Sequence, residues 1–201
     1  MATEGVSHGA VFVTEADPNL QRRLLARDGT AQAELYHRFG PALHRFAAWR
    51  LDGDQDLAEE VVVEALVDAV KNIRRFNPRR SSLSAWLHGV TRNCIQRERR
   101  RQQRRKSVPA SAQVSLDAFQ EVETGSDLAT SITDLLAARQ QVARLRAALS
   151  EVEMEVLVLR CVGELSMKEI GQTVGRSERA VETMLYRAKQ KAREELGQDA
   201  E

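Results

Sequence analysis

The sequence predicts an all-α protein: two small helical domains joined by a flexible acidic linker, the C-terminal one a helix-turn-helix. Three observations carry that prediction. Apolar residues recur at three- and four-residue spacing through most of the chain, the period of an amphipathic helix. Ala, Leu, Val, Glu and Arg dominate, whereas only 4 Pro and 11 Gly punctuate the 201 residues, a composition that favours helices. Charge is also segregated. Residues 1–106 carry 19 basic and 13 acidic groups, Ser107 to Asp134 carry no basic and five acidic ones, and the remainder carries 11 of each. A basic part, an acidic middle and a balanced end mark separate units with different partners.

Taken in chain order, residues 1–18 lack periodicity and read as a flexible N-terminus. Leu20 to Arg27 reads as a short helix stopped by Asp28-Gly29. Thr30 can cap a second helix through Leu35, Phe39, Leu43, Phe46 and Ala47, which Gly40-Pro41 should kink or interrupt. Asp52-Gly53-Asp54 is a turn. A strong helix from about Asp56 to Phe76 carries Val62, Leu66, Ala69, Ile73 and Phe76 on one stripe, and Asn77-Pro78 breaks it. Ser81 or Ser82 then caps a helix with Leu83, Leu87, Val90 and Cys94 inward, running into RERRRQQRRK. The first folded domain thus spans 19–106, and the linker 107–134.

Helices resume at 135–196 with a stripe of Leu135, Val142, Leu145 and Leu149. Ser150 to Glu153 and Ser166 to Glu169 are two capping boxes, in which the serine oxygen and the glutamate carboxylate each satisfy an unpaired NH at a helix start. Gly163 ends the helix that follows the first box. Ile170 and Val174 face inward, Gly175-Arg176-Ser177 is a turn, and Val181, Leu185, Ala188 and Ala192 line the last helix. Residues 197–201 form a tail.

The two cysteines, Cys94 and Cys161, lie in apolar-periodic segments and read as buried thiols of a reducing compartment. No apolar run is long enough to span a bilayer, and the N-terminus has no secretory pattern, so a cytoplasmic location is expected. No glycine-rich phosphate loop and no metal spacing among His8, His37, His44 and His88 appears. The chain is therefore expected not to be an enzyme and to need no metal or cofactor.

The segment Met167 to Arg187 fits a helix-turn-helix. Small Gly171 sits where the two helices must approach. Val181 and Leu185 would be buried, while Ser177, Arg179, Ala180, Thr183 and Arg187 would face a DNA major groove. Upstream, the basic face His88, Arg92, Arg97, Arg99, Arg100 and Arg101 adjoins Phe76, Trp86 and the loop NPRRSS. Cations beside aromatics suit unpaired nucleic acid, where bases stack and phosphates need neutralising. Asp52, Asp54, Asp56, Glu59 and Glu60 at the start of the long helix serve its dipole, and also offer a docking surface to a basic partner.

Together these pieces resemble the bacterial sigma-70 family, in its small extracytoplasmic-function (ECF) group. The residues that carry the likeness are DLAEEVVVEALVDAVKNIRRFNPRRSSLSAWLHGVTRN and ALSEVEMEVLVLRCVGELSMKEIGQTVGRSERAVETMLYRAKQKAREEL. The resemblance implies that the helix bearing Asp56, Glu59, Glu60 and Glu64 docks on the clamp helices of RNA polymerase. It implies that the loop Phe76, Asn77, Arg79, Arg80, Ser81 and Ser82 captures a flipped base of the −10 element. Trp86, His88, Arg92 and Asn93 would touch that element's upstream edge, and the C-terminal helix would read the −35 element. Core RNA polymerase and promoter DNA are the implied partners, with an anti-sigma factor as a further candidate. The family commonly has Gln at Val63 and Trp at Val70. Arg176 takes a usually apolar turn position, and Glu182 and Met184 replace residues that are often basic or polar.

Two rival readings differ in class. A helix-turn-helix transcriptional regulator acting without replacing the sigma subunit would need a sensor domain, and the N-terminal half has no strand pattern to supply one. A pure interaction protein would sequester another factor. Run-off transcription with purified core polymerase separates all three.

Overall fold

The computed structural model describes residues 18–106 and 140–197. Among them are eight α-helices, one 3-10 turn and no strand. The helices are α1 (Pro18–Leu25), α2 (Gly29–Arg50), α3 (Gln55–Lys71), α4 (Leu83–Lys106), α5 (residues 140–148), α6 (Glu151–Cys161), α7 (Met167–Val174) and α8 (Glu178–Gly197). Residues 1–17, residues 107–139 (the linker together with Leu135), and the tail beyond 197 lie outside the described residues.

Each helix start has a chemical cause. Pro18 opens α1, a position where its missing NH costs nothing. Asp28, rather than Thr30, caps α2: its carboxylate accepts from the Thr30 NH and hydroxyl and from Arg23. Those bonds hold the Asp28 pKa down at about 2, the Thr30 bond contributing most. Asp54 caps α3 through the Leu57 NH, and Ser82 caps α4 through the Ala85 NH. Both expected capping boxes are complete at Ser150/Glu153 and Ser166/Glu169.

Two elements depart from expectation. α2 runs unbroken through Pro41, because Ala31, Leu35, Leu43, Phe46 and Ala47 on both sides of it are buried in one core. That tertiary packing outweighs the single backbone bond a proline removes. The long helix ends at Lys71 rather than Phe76, where the Asn72 side-chain amide turns back to donate to the Asp68 carbonyl, and Ile73–Arg75 tighten into the 3-10 turn. Cys94 is buried as expected, whereas Cys161 is exposed at the last position of α6.

The helices α1–α4 make an N-terminal unit around Leu20, Leu35, Phe46, Ala65, Leu87 and Ile95. The C-terminal unit, α5–α8, is centred on Leu159, Ile170, Val181 and Leu185. The apolar residues of the two units belong to a single continuous core, so the units are packed on each other rather than held at an open spacing. A second, smaller cluster of Leu149, Met154 and Ala188 packs against Trp49 of α2. No helix among the described residues is long and apolar enough to cross a membrane.

Candidate nucleic-acid interface

The helix-turn-helix is set by two glycines. Gly175 adopts φ 70°, a left-handed conformation that L side chains resist, and so terminates α7. A Cβ on Gly171 would lie 2.6 Å from the Arg176 carbonyl oxygen, so only glycine lets α7 pass this close to the turn. Val181 and Leu185 close the core behind α8. Its outer face presents Ser177, Arg179, Thr183 and Arg187 as exposed residues, with Ala180 half-buried. Arg176 and Glu182 are also exposed, while Met184 packs partly against the core.

In the loop between the 3-10 turn and α4, Asn77, Arg79 and Arg80 are exposed, and Ser81 and Ser82 are half-buried. The Asn77 side chain folds the loop by accepting from the Arg79 NH. Phe76 is placed otherwise than expected: it is buried, with its ring 5.5 Å from that of Trp86 and tilted 41° to it. Of the two rings, Phe76 is buried and Trp86 half-buried, so Trp86 is the more open of the pair. Asn93 is exposed on α4.

His88 is a correction. It is 1% exposed, packed edge-on to Phe46, with Nδ1 against the Ser84 carbonyl and Nε2 without a partner among the described residues. The helix pattern placed it on the basic face, but that side of α4 is covered by the Gly163 turn of the C-terminal unit. Burial pulls the ring's pKa below its ordinary 6.5, against a weaker pull upward from the Ser84 carbonyl. The neutral ring suits the packed state, so its contribution is complete above about pH 6.5 and declines as pH falls through that value. The carboxylates of Asp28, Glu151, Glu153 and Glu169 all have lowered pKa values and stay ionised in this window. Thermal unfolding at about pH 7.5 and about pH 5.5 should therefore show a loss in the wild type that His88→Leu lacks. Equal losses in both proteins would remove His88 as the cause.

Arg92 is half-buried and engaged: its Nε donates to Glu155 of α6 at 2.8 Å. That contact belongs to a set joining the two units, which sequence reasoning missed because its partners lie far apart in the chain. Arg50 reaches Glu151 and Glu155, at 3.2 and 3.4 Å. Arg99 pairs with Glu151 at 2.6 Å and also donates to the Arg50 carbonyl. Arg146 of α5 binds Asp52 and the Trp49 carbonyl. Glu169 serves both sides, capping its own helix with Oε2 and accepting from the Ser82 NH with Oε1 at 3.0 Å. Burial opposes its ionisation, but the Ser82 and Ser166 bonds outweigh that and keep its pKa below the usual carboxylate range.

α3 exposes Asp56, Glu59 and Glu60, with Glu64 half-buried and paired with Arg97 of α4 at 3.2 Å. Val63 and Val67 stand among them, 46% and 45% exposed, so this acidic face has an apolar stripe. Val70 is instead partly covered by the core. Glu64, Asp68 and Cys94 cluster tightly enough to suggest a metal site, but Arg97 already supplies the positive charge, donating to Asp68 at 2.6 Å and to the Cys94 sulfur at 2.9 Å.

Residues 35–105 match Sigma-70 region 2, and residues 139–191 match Sigma-70 region 4. The chain is similar to ECF RNA polymerase sigma factor BldN of Streptomyces coelicolor, 26% identical over 169 residues, covering 84% of this chain and 61% of the relative. It is similar to ECF RNA polymerase sigma factor SigE of Mycolicibacterium smegmatis, also 26% identical, over 81% of this chain and 60% of the relative. The chain thus spans less than two thirds of the length of these curated relatives. Among solved structures, CnrH in complex with the cytosolic domain of CnrY shares the fold, with a TM-score of 0.64 at 24% identity, covering 92% of this chain and 99% of that one.

Proposed function

The chain belongs to the sigma-70 family, in its ECF group, and we propose that it binds core RNA polymerase and directs promoter-specific initiation of transcription. The observation that carries this reading is the presence of regions 2 and 4 in order in one chain, each with a surface suited to its part. On α3, Asp56, Glu59, Glu60 and Glu64 supply charge and Val63 and Val67 supply apolar area for docking on polymerase. Ser177, Arg179, Ala180, Thr183 and Arg187 of α8 enter the major groove of the −35 element. Asn77, Arg79, Arg80, Ser81 and Ser82 hold an unstacked base of the −10 element over the Phe76–Trp86 pair. Trp86, Arg92 and Asn93 meet its upstream edge, with His88 as packing beneath them. An anti-sigma factor stays in the proposal as a third partner.

The mechanism is noncovalent. Extruding a base costs a few kcal/mol, offset by stacking on Trp86 and phosphate contacts to Arg79, Arg80 and Arg92. Run-off transcription with purified core polymerase tests the reading: promoter-specific transcripts are expected with the protein and not with core alone. A footprint on a palindrome without polymerase, and no transcript with it, would replace this reading by a stand-alone regulator.

Two expected outcomes follow from the surfaces. Arg179→Ala should weaken promoters that depend on the −35 element by about 1–3 kcal/mol, the worth of one good base contact, and an unchanged upstream footprint would remove Arg179 from the site. A Gly/Ser stretch in place of Asn77 to Ser82 should leave polymerase binding intact and impair strand opening. Permanganate reactivity of promoter thymines checks it, and normal reactivity would count against base capture by this loop.

A further inference from the structure

A cleft of about 430 Å³ opens on the N-terminal unit, between the far end of α1 and the end of α3 with its 3-10 turn. Its lining divides by chemistry. Leu24, Leu25 and Ile73 supply apolar area, and Arg27, Lys71 and Arg74 supply three exposed cations. Among the described residues no carboxylate lines the cleft, and none of these cations forms an ion pair. Leu25, 41% exposed, ends a helix of only eight residues, too short to hold by its own backbone bonds. An apolar floor with an unbalanced basic rim fits an occupant that is apolar along one stretch and acidic beside it.

The chain carries such a segment next to the cleft. Residues 1–17 hold Glu4, Glu15 and Asp17 and no Lys or Arg, and their one run of large apolar residues is Val11-Phe12-Val13. They lead directly into Pro18, the first residue of α1. That helix is roughly 12 Å long at 1.5 Å per residue. Phe12, six residues before Pro18, has a reach of about 20 Å from it, enough to turn back along α1 to its far end. We propose that residues 11–17 occupy this cleft, with Val11, Phe12 and Val13 against Leu24, Leu25 and Ile73, and with Glu15 among Arg27, Lys71 and Arg74. The docked segment covers the open side of α1 and balances the rim. It does not depend on the sigma-70 reading, since it uses only the cleft, the charges and the length of chain before Pro18.

Hydrogen–deuterium exchange of the full chain, read by mass spectrometry, tests the docking. Residues 11–17 should exchange at least about tenfold more slowly in the wild type than in Phe12→Asp. Peptides of α1 should lose protection in the same variant, which alters nothing inside the described fold. Lys71→Glu with Arg74→Glu leaves the segment's own sequence intact and should free it to the same extent, while α6 to α8 keep their protection. No difference between wild type and Phe12→Asp would overturn the proposal and leave the cleft to an acidic segment of another protein. Protection lost in Phe12→Asp but kept in the Lys71/Arg74 variant would overturn it by placing the segment elsewhere. Protection that falls on tenfold dilution would overturn it in favour of the same segment from a second copy.

Discussion

Gly171→Ala should destabilise the helix-turn-helix by about 3 kcal/mol, the upper end for forcing extra volume into a packed site. The added Cβ would sit 2.6 Å from the Arg176 carbonyl oxygen. That neighbour is backbone, and the turn that holds it is fixed by the Arg176 NH donating to the carbonyl of Gly171 itself. Neither wall can move without parting α7 from α8. A unit this small is marginally stable, so its −35 footprint should be lost while docking through α3 persists. Gly175→Ala is the informative comparison. Its φ of 70° strains any L residue, yet nothing lies within 4 Å of the new Cβ, so only conformational strain of about 1 kcal/mol is expected. Urea unfolding of the two variants checks the order. An equal or reversed ranking would show that α7 and α8 can separate cheaply.

Why such a site is legible in the sequence, and the contact between the two units is not, follows from the range of the forces involved. Capping boxes, the Gly175 turn and the Val181/Leu185 stripe are local: each donor finds its acceptor within a few residues, so the chain order alone reveals them. The Phe76 to Ser82 loop is legible for the same reason, because Asn77 folds it from within. The continuity of α2 through Pro41 is not legible, since the proline's local cost is known while the packing that outweighs it comes from other elements. His88 fails for a related reason. Helical spacing places it on the same face as Arg92, but only the Gly163 turn, far along the chain, decides whether that face is wet. The carboxylate partners of Arg50 are not local: Glu151 and Glu155 are separated from it by half the chain.

Glu155→Ala should be the most destabilising single substitution in the closed chain, at about 3–5 kcal/mol, the usual cost of leaving a buried ion without its partner. The Glu155 side chain is 2% exposed and that of Arg50 5% exposed. Glu155 is the carboxylate shared by Arg50 and Arg92, and without it three arginines would crowd around Glu151 alone. Arg50 already shows the tension, its pKa lowered by burial foremost, against the pull of Glu155, with Arg99 and Arg92 adding repulsion. Replacing both partners, as in Arg50→Met with Glu155→Leu, should recover most of the loss, because desolvation of both ions disappears together with their attraction. The double-mutant cycle is read by thermal and urea unfolding, and an unaltered midpoint in Glu155→Ala would refute the closed arrangement. The size of the loss carries a further meaning. A chain that loses Glu155 can escape the penalty by opening, since Arg50 and Arg92 then rehydrate, at the cost of the apolar contacts that join the two units. The measured cost therefore cannot exceed the free energy of closing. A loss near 4 kcal/mol would mean that closing is favoured by at least that much, about a thousandfold. A loss near 1 kcal/mol would set that lower bound at only about fivefold, and would mean either that closing is weak or that Arg50 and Arg92 regain water without the units parting.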